Sequence, residues 1–248
     1  MATASGTCHP AFEPLRAAFE RDFAEGRSLG ASIAVAVKGE SVCDLWGGFA
    51  DEAKTKLWQA DTIVNIWSAA KAWSAMCVSI LAERGLVDIE APVCKYWPEF
   101  AANGKEGVTV AHALSHQAGL ITYRKYMGPA NETTWEQLTT ALAEEKLFYP
   151  PGTKTVYHAF TFGIIAGELV RRVAGMTVGQ FLAAHVAAPL GLSDQLLLGF
   201  GPEHDGKVAE LVAGPGVPSR DNLDKIGTDD AEPTPAELSY KTSLNPLR

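Results

Sequence analysis

Apolar residues recur at helical spacing between Asp61 and Gly85, and this pattern predicts one long buried helix. The apolar positions are Ile66, Trp73, Met76, Cys77, Ile80 and Leu81. Asp61 and Thr62 are residue types that cap helix N-termini, and Gly85 is a residue type that ends helices. We expect the rest of the chain to be organised around this helix.

Two earlier stretches read as the strands of a β-hairpin. They are Ala31–Val37 and Ser41–Phe49, and Lys38-Gly39-Glu40 joins them with a turn-forming glycine. An amphipathic surface helix is predicted before them, over Phe12–Glu25. A two-stranded hairpin is marginally stable by itself, and no later stretch of the sequence offers an evident partner strand. The pattern therefore predicts an exposed sheet edge through which the chain associates with itself.

The remaining predicted elements are helices, which lie over Val108–Ser115, Thr133–Glu145, Thr161–Val173 and Val178–Ala188. From about residue 200 the sequence becomes rich in Gly, Pro and Asp. We divide the chain into a helix and hairpin over residues 1–60, a helical lobe over residues 61–200 and an irregular segment over residues 201–248.

Composition narrows the class of protein. The chain has 248 residues, of which 47% are apolar, and a formal net charge of −8. This acidity argues against nucleic-acid and anionic-membrane partners. The N-terminus lacks the basic start and apolar core of a signal peptide, and the four cysteines have no C-x-x-C spacing. We expect a cytoplasmic protein with free thiols.

Ser68 and Lys71 form an S-x-x-K motif near the start of the predicted helix. A separation of three residues places both side chains on one helix face, one turn apart. A serine hydroxyl is a poor nucleophile unless a base takes its proton. A helix N-terminus and a dry pocket both disfavour the ammonium form of lysine, so Lys71 is a candidate base. The motif also arises by chance, so it does not identify an enzyme by itself.

Further blocks extend the motif and together resemble a known family. They are LAERGLVDIEAPVCKYWPEF, VTVAHALSHQAGL, YPPGTKTVYHAFTFGIIAGELVRRVAG and VAAPLGL. Their order resembles the serine hydrolases that share the penicillin-binding-protein and class C β-lactamase fold, and most of all the family VIII carboxylesterases. The resemblance covers roughly residues 10 to 245. It implies an α+β fold of the β-lactamase/transpeptidase type, with an antiparallel sheet flanked by helices and a mainly helical lobe.

The resemblance also implies roles for three residues. Ser68 matches the nucleophile, Lys71 its proton-relay partner, and Tyr157 the tyrosine that acts as the base in acylation and activates water in deacylation. A tyrosine beside a lysine cation has its phenolate favoured, so the two would act as a coupled pair. Ala159 stands where β-lactamases usually carry the Asn of Tyr-x-Asn, which favours esters over lactams. The family's chemistry implies no metal or organic cofactor.

The third motif of the family is not found. It is K-T-G in β-lactamases and of an H-x-G type in many esterases, on a late strand that supplies the second oxyanion N–H. Lys241-Thr242-Ser243 echoes it, but the triplet lies too soon after Tyr157 and runs into Leu244-Asn245-Pro246, which cannot continue a central strand. We therefore expect a C-terminally truncated chain in which the late strands of the sheet are missing.

Other residues are weaker candidates. Trp67 either packs in the core or lines an acyl pocket, and His158 either reaches the pocket or caps the following helix. Tyr123 and Tyr126 fall where related folds form a rim, so we list all four as substrate-binding candidates. His112 and His116 have a metal-like spacing, but H-A-L-S-H lacks the glutamate of H-E-x-x-H, so no metal site is predicted.

Three functions remain open at this point. The leading hypothesis is hydrolysis of small carboxylic esters through an acyl-enzyme on Ser68. The second is hydrolysis of a β-lactam or a D-amino-acid peptide by the same residues. The third is a non-catalytic remnant, because the third motif and much of the sheet are absent from the sequence.

Overall fold

The computed structural model describes residues 4–124 and 133–212, which form two units. The first unit contains residues 4–66 and 200–212, and the second contains residues 67–124 and 133–199. No helix in these ranges combines the length and the apolar character that crossing a bilayer requires.

The first unit is built on a three-stranded antiparallel sheet in the order β1-β3-β2. Its strands are β1 (Ser5–Cys8), β2 (Gly30–Val37) and β3 (Glu40–Gly48). The predicted hairpin is confirmed as β2 and β3. Lys38 and Gly39 connect them with φ of 53° and 86°, the backbone of a tight hairpin turn that glycine favours.

A partner strand for the hairpin lies upstream of it. β1 pairs with β3, with Cys8 opposite Cys43. The sequence analysis considered only partner strands after the hairpin, and it therefore missed β1. Within the described residues β2 is an outer strand of the sheet, so self-association through this edge stays a prediction.

The predicted surface helix is confirmed as α1 (Glu13–Ala24), which contacts β3. The described start of the 201–248 segment adds to the same unit. Pro202–His204 form a 3₁₀ turn, and Val208 forms a parallel bridge with Ile63. Lys241-Thr242-Ser243 and the rest of residues 213–248 lie outside the described residues.

The second unit is helical. Its helices are α2 (Ala70–Glu83), α3 (Val110–Leu114), α4 (Trp135–Glu144), α5 (Thr161–Ala174) and α6 (Val178–Leu182). The core forms where α2, α5 and α6 pack together, because each helix carries an apolar face. Val178–Ala188 was predicted as one helix, but α6 gives way to a π-helical turn at Ala183–Ala187.

The start of the central helix was predicted wrongly. A 3₁₀ turn over Trp67–Ala69 precedes α2, so helical structure begins six residues after Asp61. The two expected capping residues have other partners. Thr62 Oγ1 accepts a hydrogen bond from the Gln59 amide, and Asp61 pairs with Lys207 at 3.2 Å. The later start places Ser68 in the turn that opens the helix.

Candidate active site

Ser68 and Lys71 meet at the N-terminal end of α2. Ser68 lies in the 3₁₀ turn, and Lys71 is the second residue of the helix, so the three-residue spacing brings their side chains together. The Nζ atom of Lys71 donates a hydrogen bond to Oγ of Ser68 at 3.1 Å. The Ser68 side chain is exposed and Lys71 is half-buried, so a substrate can reach the hydroxyl.

Tyr157 joins this pair from the segment that precedes α5. Lys71 Nζ lies 4.8 Å from the centre of the Tyr157 ring, and Tyr157 is 50% exposed. Burial alone would raise the pKa of Tyr157, but hydrogen bonds with Lys71 and Ser68 and the charge of Lys71 hold the pKa below its ordinary value. The structure thus places the three residues of the predicted catalytic set within contact of one another.

His116 is a neighbour of Tyr157 whose part in this site the sequence analysis did not find. Its ring centre lies 4.9 Å from that of Tyr157, and its Nδ1 atom accepts a hydrogen bond from the His158 amide at 3.0 Å. Its carbonyl oxygen accepts another from the Val156 amide at 3.0 Å. Burial and the charge of Lys71 both lower the pKa of His116. The sequence analysis used the HALSHQAGL block only for the family resemblance and for the metal-like spacing of His112 and His116.

His158 lies in the core. Its side chain is fully buried, Nε2 accepts a hydrogen bond from the Leu120 amide at 3.2 Å, and Nδ1 lies 2.5 Å from the Val156 carbonyl oxygen. Burial lowers the pKa of His158 to about 4, and the nearby His116 acts in the same direction. Both ring nitrogens are therefore engaged by the backbone, and the described geometry gives His158 a packing role in place of a substrate contact.

The other substrate-binding candidates differ in their exposure to solvent. Trp67 is 49% exposed and directly precedes Ser68, with φ of 50°, an unusual backbone conformation for an aromatic residue. Tyr123 is 4% exposed and its hydroxyl donates to the Leu138 carbonyl, so it packs in the core and does not form a rim. Burial raises the pKa of Tyr123. Tyr126 lies outside the described residues.

The two histidines of HALSH serve different contacts. Nδ1 of His112 accepts a hydrogen bond from the Thr109 amide, and the Thr109 hydroxyl accepts one from the His112 amide, which forms a capping box for α3. His116 contacts the Tyr157 segment. Across residues 4–124 and 133–212 no group of three His, Cys, Asp or Glu side chains is arranged to hold a metal ion.

The arrangement is suited to proton transfer at a serine hydroxyl. A phenol whose ionisation is favoured, an amine and a hydroxyl lie within one small, accessible surface. The amide of Ser68, in the turn that opens α2, is one candidate donor to a developing oxyanion. The arrangement suits attack on a carbonyl carbon followed by release of an alcohol or amine.

The sequence of this chain is similar to those of known proteins. The family profile described as Beta-lactamase matches residues 15–236. The esterase/beta-lactamase LipL of Mycobacterium tuberculosis is 38% identical over 212 residues, which cover 84% of this chain and 48% of LipL.

Solved structures agree on the fold. A family VIII carboxylesterase is 44% identical with a TM-score of 0.79, covering 84% of this chain and 57% of that one. A penicillin-binding-protein homologue from Caulobacter crescentus is 36% identical with a TM-score of 0.86, covering 99% of this chain and 63% of that one. The chain thus spans about half to two thirds of the length of these three proteins.

Proposed function

Because the chain belongs to the beta-lactamase family of hydrolases, with the α+β fold of that family, we propose that it cleaves small carboxylic esters through an acyl-enzyme on Ser68. One observation carries this proposal. Lys71 Nζ lies 3.1 Å from Ser68 Oγ, and hydrogen bonds from both residues favour the phenolate of Tyr157. A nucleophile, a base and a cation that stabilises the base are thereby assembled.

In the acylation step the Tyr157 phenolate takes the proton of Ser68 as Oγ attacks the ester carbonyl carbon. The negative charge that develops on the carbonyl oxygen lies beside the Ser68 amide at the start of α2. The alcohol then leaves with the proton that Tyr157 returns to it. The ammonium of Lys71 stabilises the phenolate at the beginning of this step by the attraction of opposite charges.

Deacylation reverses the proton transfers. Tyr157 takes a proton from a water molecule, which attacks the acyl carbonyl carbon, and the Ser68 oxygen recovers the proton as the acid leaves. The exposed position of Ser68 gives water access to the acyl group. General base catalysis of this kind contributes about 10²–10⁴-fold to rate.

Esters are the proposed substrates for two reasons. The names of LipL and of the family VIII carboxylesterase describe esterases. In addition, Ala159 occupies the place of the asparagine in Tyr-x-Asn, and the neighbouring His158 is buried and cannot supply a substitute side-chain donor for a lactam amide. LipL is also named a beta-lactamase, so lactam hydrolysis is the second candidate.

The described residues provide one candidate oxyanion donor, the Ser68 amide in the turn that opens α2. The late strand that carries the third motif in the resemblance is not among the three strands of the described residues. The Ser68 amide is therefore the donor that we propose within the described residues, and removing one such donor costs about 10²–10³-fold in kcat in other hydrolases.

The test compares hydrolysis of p-nitrophenyl acetate and butyrate with hydrolysis of nitrocefin. We expect ester turnover that Lys71→Ala and Tyr157→Phe reduce at least 100-fold. Tyr149→Phe is the matched control, because the buried Tyr149 hydroxyl has no hydrogen-bond partner and its loss should leave the rate unchanged. Equal rates in Tyr157→Phe and Tyr149→Phe would refute the assignment, and faster turnover of nitrocefin than of the esters would favour the lactam.

A further inference from the structure

We propose that neutral His116 is a positioning residue that fixes Tyr157 against Lys71 and Ser68, and that protonation of His116 releases Tyr157. The proposal rests on the proposed function, since it takes Tyr157 as the base. His116 touches neither the substrate nor Ser68 in this scheme. It acts through the backbone on either side of Tyr157.

The clamp consists of two hydrogen bonds that flank Tyr157. The carbonyl oxygen of His116 accepts from the Val156 amide at 3.0 Å, and its Nδ1 accepts from the His158 amide at 3.0 Å. Val156 and His158 are the two sequence neighbours of Tyr157. Fixing both of their amides leaves the intervening residue little freedom to rotate away from Lys71.

The imidazole ring holds the Tyr157 ring directly as well. Its centre lies 4.9 Å from the Tyr157 ring and 4.9 Å from the Phe162 ring on α5. Phe162 is buried, so it gives the histidine a fixed support. Tyr157 itself is half exposed and depends on such a contact for its orientation.

The backbone of His116 indicates that the side chain is required. His116 follows Ser115, the C-cap residue of α3, and has φ of 61°, a left-handed conformation. Glycine is the usual residue at this place, because a side chain strains the left-handed backbone conformation. A histidine in a position suited to glycine is explained by the Nδ1 contact, which glycine cannot make.

The side-chain bond of the clamp, from the His158 amide to Nδ1, forms only in one protonation state of His116. Nδ1 accepts a hydrogen bond, so the proton of the neutral ring is on Nε2. A second proton would bind to Nδ1. The new N–H would then face the N–H of His158, and the hydrogen bond between them would be lost. The groups that face His116 are Lys71 from α2 and Tyr157 and His158 from the segment before α5, and Lys71 is the one whose charge opposes protonation most directly.

Two substitutions of His116 test the role of its side chain while allowing the same backbone conformation. Asparagine and glycine both tolerate a positive φ. His116→Asn keeps an acceptor at the position of Nδ1 but cannot titrate, whereas His116→Gly removes the acceptor and the ring. His185→Asn is the control, because His185 contacts Phe181 and Arg84 and lies away from Tyr157.

The first readout is the rate of Ser68 acetylation by p-nitrophenyl acetate between pH 4 and 8. We expect His116→Gly to be slower by about 10–100-fold across this range, since a displacement of about 1 Å can cost 10²-fold. His116→Asn should retain most of the rate near pH 8. Below pH 6.5, the ordinary pKa of histidine, its rate should fall less steeply with acid than that of the wild-type chain.

The second readout does not require activity. Tyrosine labelled with ¹³C at Cζ reports the ionisation of Tyr157 by NMR, with Tyr157→Phe assigning the signal. We expect the pKa of Tyr157 to move up toward its ordinary value in His116→Gly and to remain lowered in His116→Asn and His185→Asn.

The outcomes distinguish the two proposals. If Tyr157→Phe acetylates at the wild-type rate, or if the wild-type chain is not acetylated, the proposed function fails, and the NMR titration still decides the role of His116. If Tyr157→Phe is inactive but His116→Gly matches wild type in rate, acid profile and Tyr157 titration, the positioning role is overturned.

Discussion

The Nζ atom of Lys71 lies 4.8 Å from the centre of the Tyr157 ring, so the Tyr157 phenol ionises in the field of the lysine charge. The positive charge favours the phenolate and contributes to the lowered pKa of Tyr157. Lys71→Met should therefore raise the pKa of Tyr157, because the substitution removes both the charge and a hydrogen-bond donor while keeping the side-chain length.

The measurement is the NMR titration of labelled Tyr157 in Lys71→Met. Lys95→Met is the control, because Lys95 lies over the Tyr96 ring at 5.5 Å and leaves the Tyr157 neighbourhood unchanged. An unaltered Tyr157 titration in Lys71→Met would show that the lysine does not stabilise the phenolate.

Glu168 provides a test of the helical unit in acid. Its carboxylate is fully buried on α5, where it accepts hydrogen bonds from Trp135, Arg171 and Arg172. Burial alone would raise the pKa of Glu168, but these three donors outweigh it and lower the pKa to about 2. A carboxyl whose pKa is lowered on folding stabilises the fold above its unfolded pKa, and this contribution is lost as the pH falls through the folded pKa.

We therefore expect the free energy of unfolding to decrease between pH 4.5, the ordinary pKa of the carboxyl, and about pH 2. Glu168→Gln should lose this pH-dependent component and be less stable near pH 7 by about 1–3 kcal/mol, since it removes the buried carboxylate that accepts hydrogen bonds from the partly exposed Arg171 and Arg172. Urea unfolding at several pH values measures both effects. The exposed Glu144→Gln is the control, and an identical slope in Glu168→Gln and wild type would contradict the assignment.

Gly167 is required by the packing of Trp135 on α5. A Cβ atom at Gly167 would lie 2.7 Å from the Trp135 ring, whereas one at Gly163 on the same helix would meet no atom within 4 Å. Gly167→Ala should therefore destabilise the chain by about 1–3 kcal/mol through overpacking. Gly163→Ala should be neutral or stabilise it by up to about 1 kcal/mol through helix propensity.

Thermal unfolding of the two variants gives the comparison, with an expected shift of about 2–4 °C for each kcal/mol in a chain of this size. Because both substitutions lie on α5, Gly163→Ala controls for the effect that replacing glycine by alanine has on helix stability. Equal melting temperatures would show that the Trp135 ring moves aside without cost.

The elements with strong local signals were predictable from the sequence. The hairpin follows from alternating apolar residues around Lys38-Gly39, and the end of α5 follows from Gly175, which adopts φ of 70°. β1 was missed because the Ser5–Cys8 stretch is only four residues long and carries no alternation. Asp61 misled the prediction of α2, since a capping residue type gives a helix start only where its side chain has no better partner, and Lys207 supplies one.

The candidate site also has a part that the sequence predicts and a part that it does not. The Ser68–Lys71 contact follows from helix geometry, which the three-residue spacing is enough to establish. Tyr157 came from the family resemblance, because a residue 86 positions after Lys71 is brought near it only by tertiary packing. Neither the burial of Tyr123 nor the His116 clamp leaves a periodic signal in the sequence, since each depends on contacts between distant segments.

The central claim is that Ser68 is the residue that becomes acylated. Its most direct test is rapid mixing of the chain with p-nitrophenyl acetate, followed by peptide mapping of the acetyl group by mass spectrometry. We predict a burst of p-nitrophenol equal to the amount of chain and one acetyl group on Ser68. The burst should be absent in Ser68→Ala and present in Ser79→Ala, an exposed serine on α2. A full burst in Ser68→Ala, or an acetyl group mapped to another residue, would contradict the account.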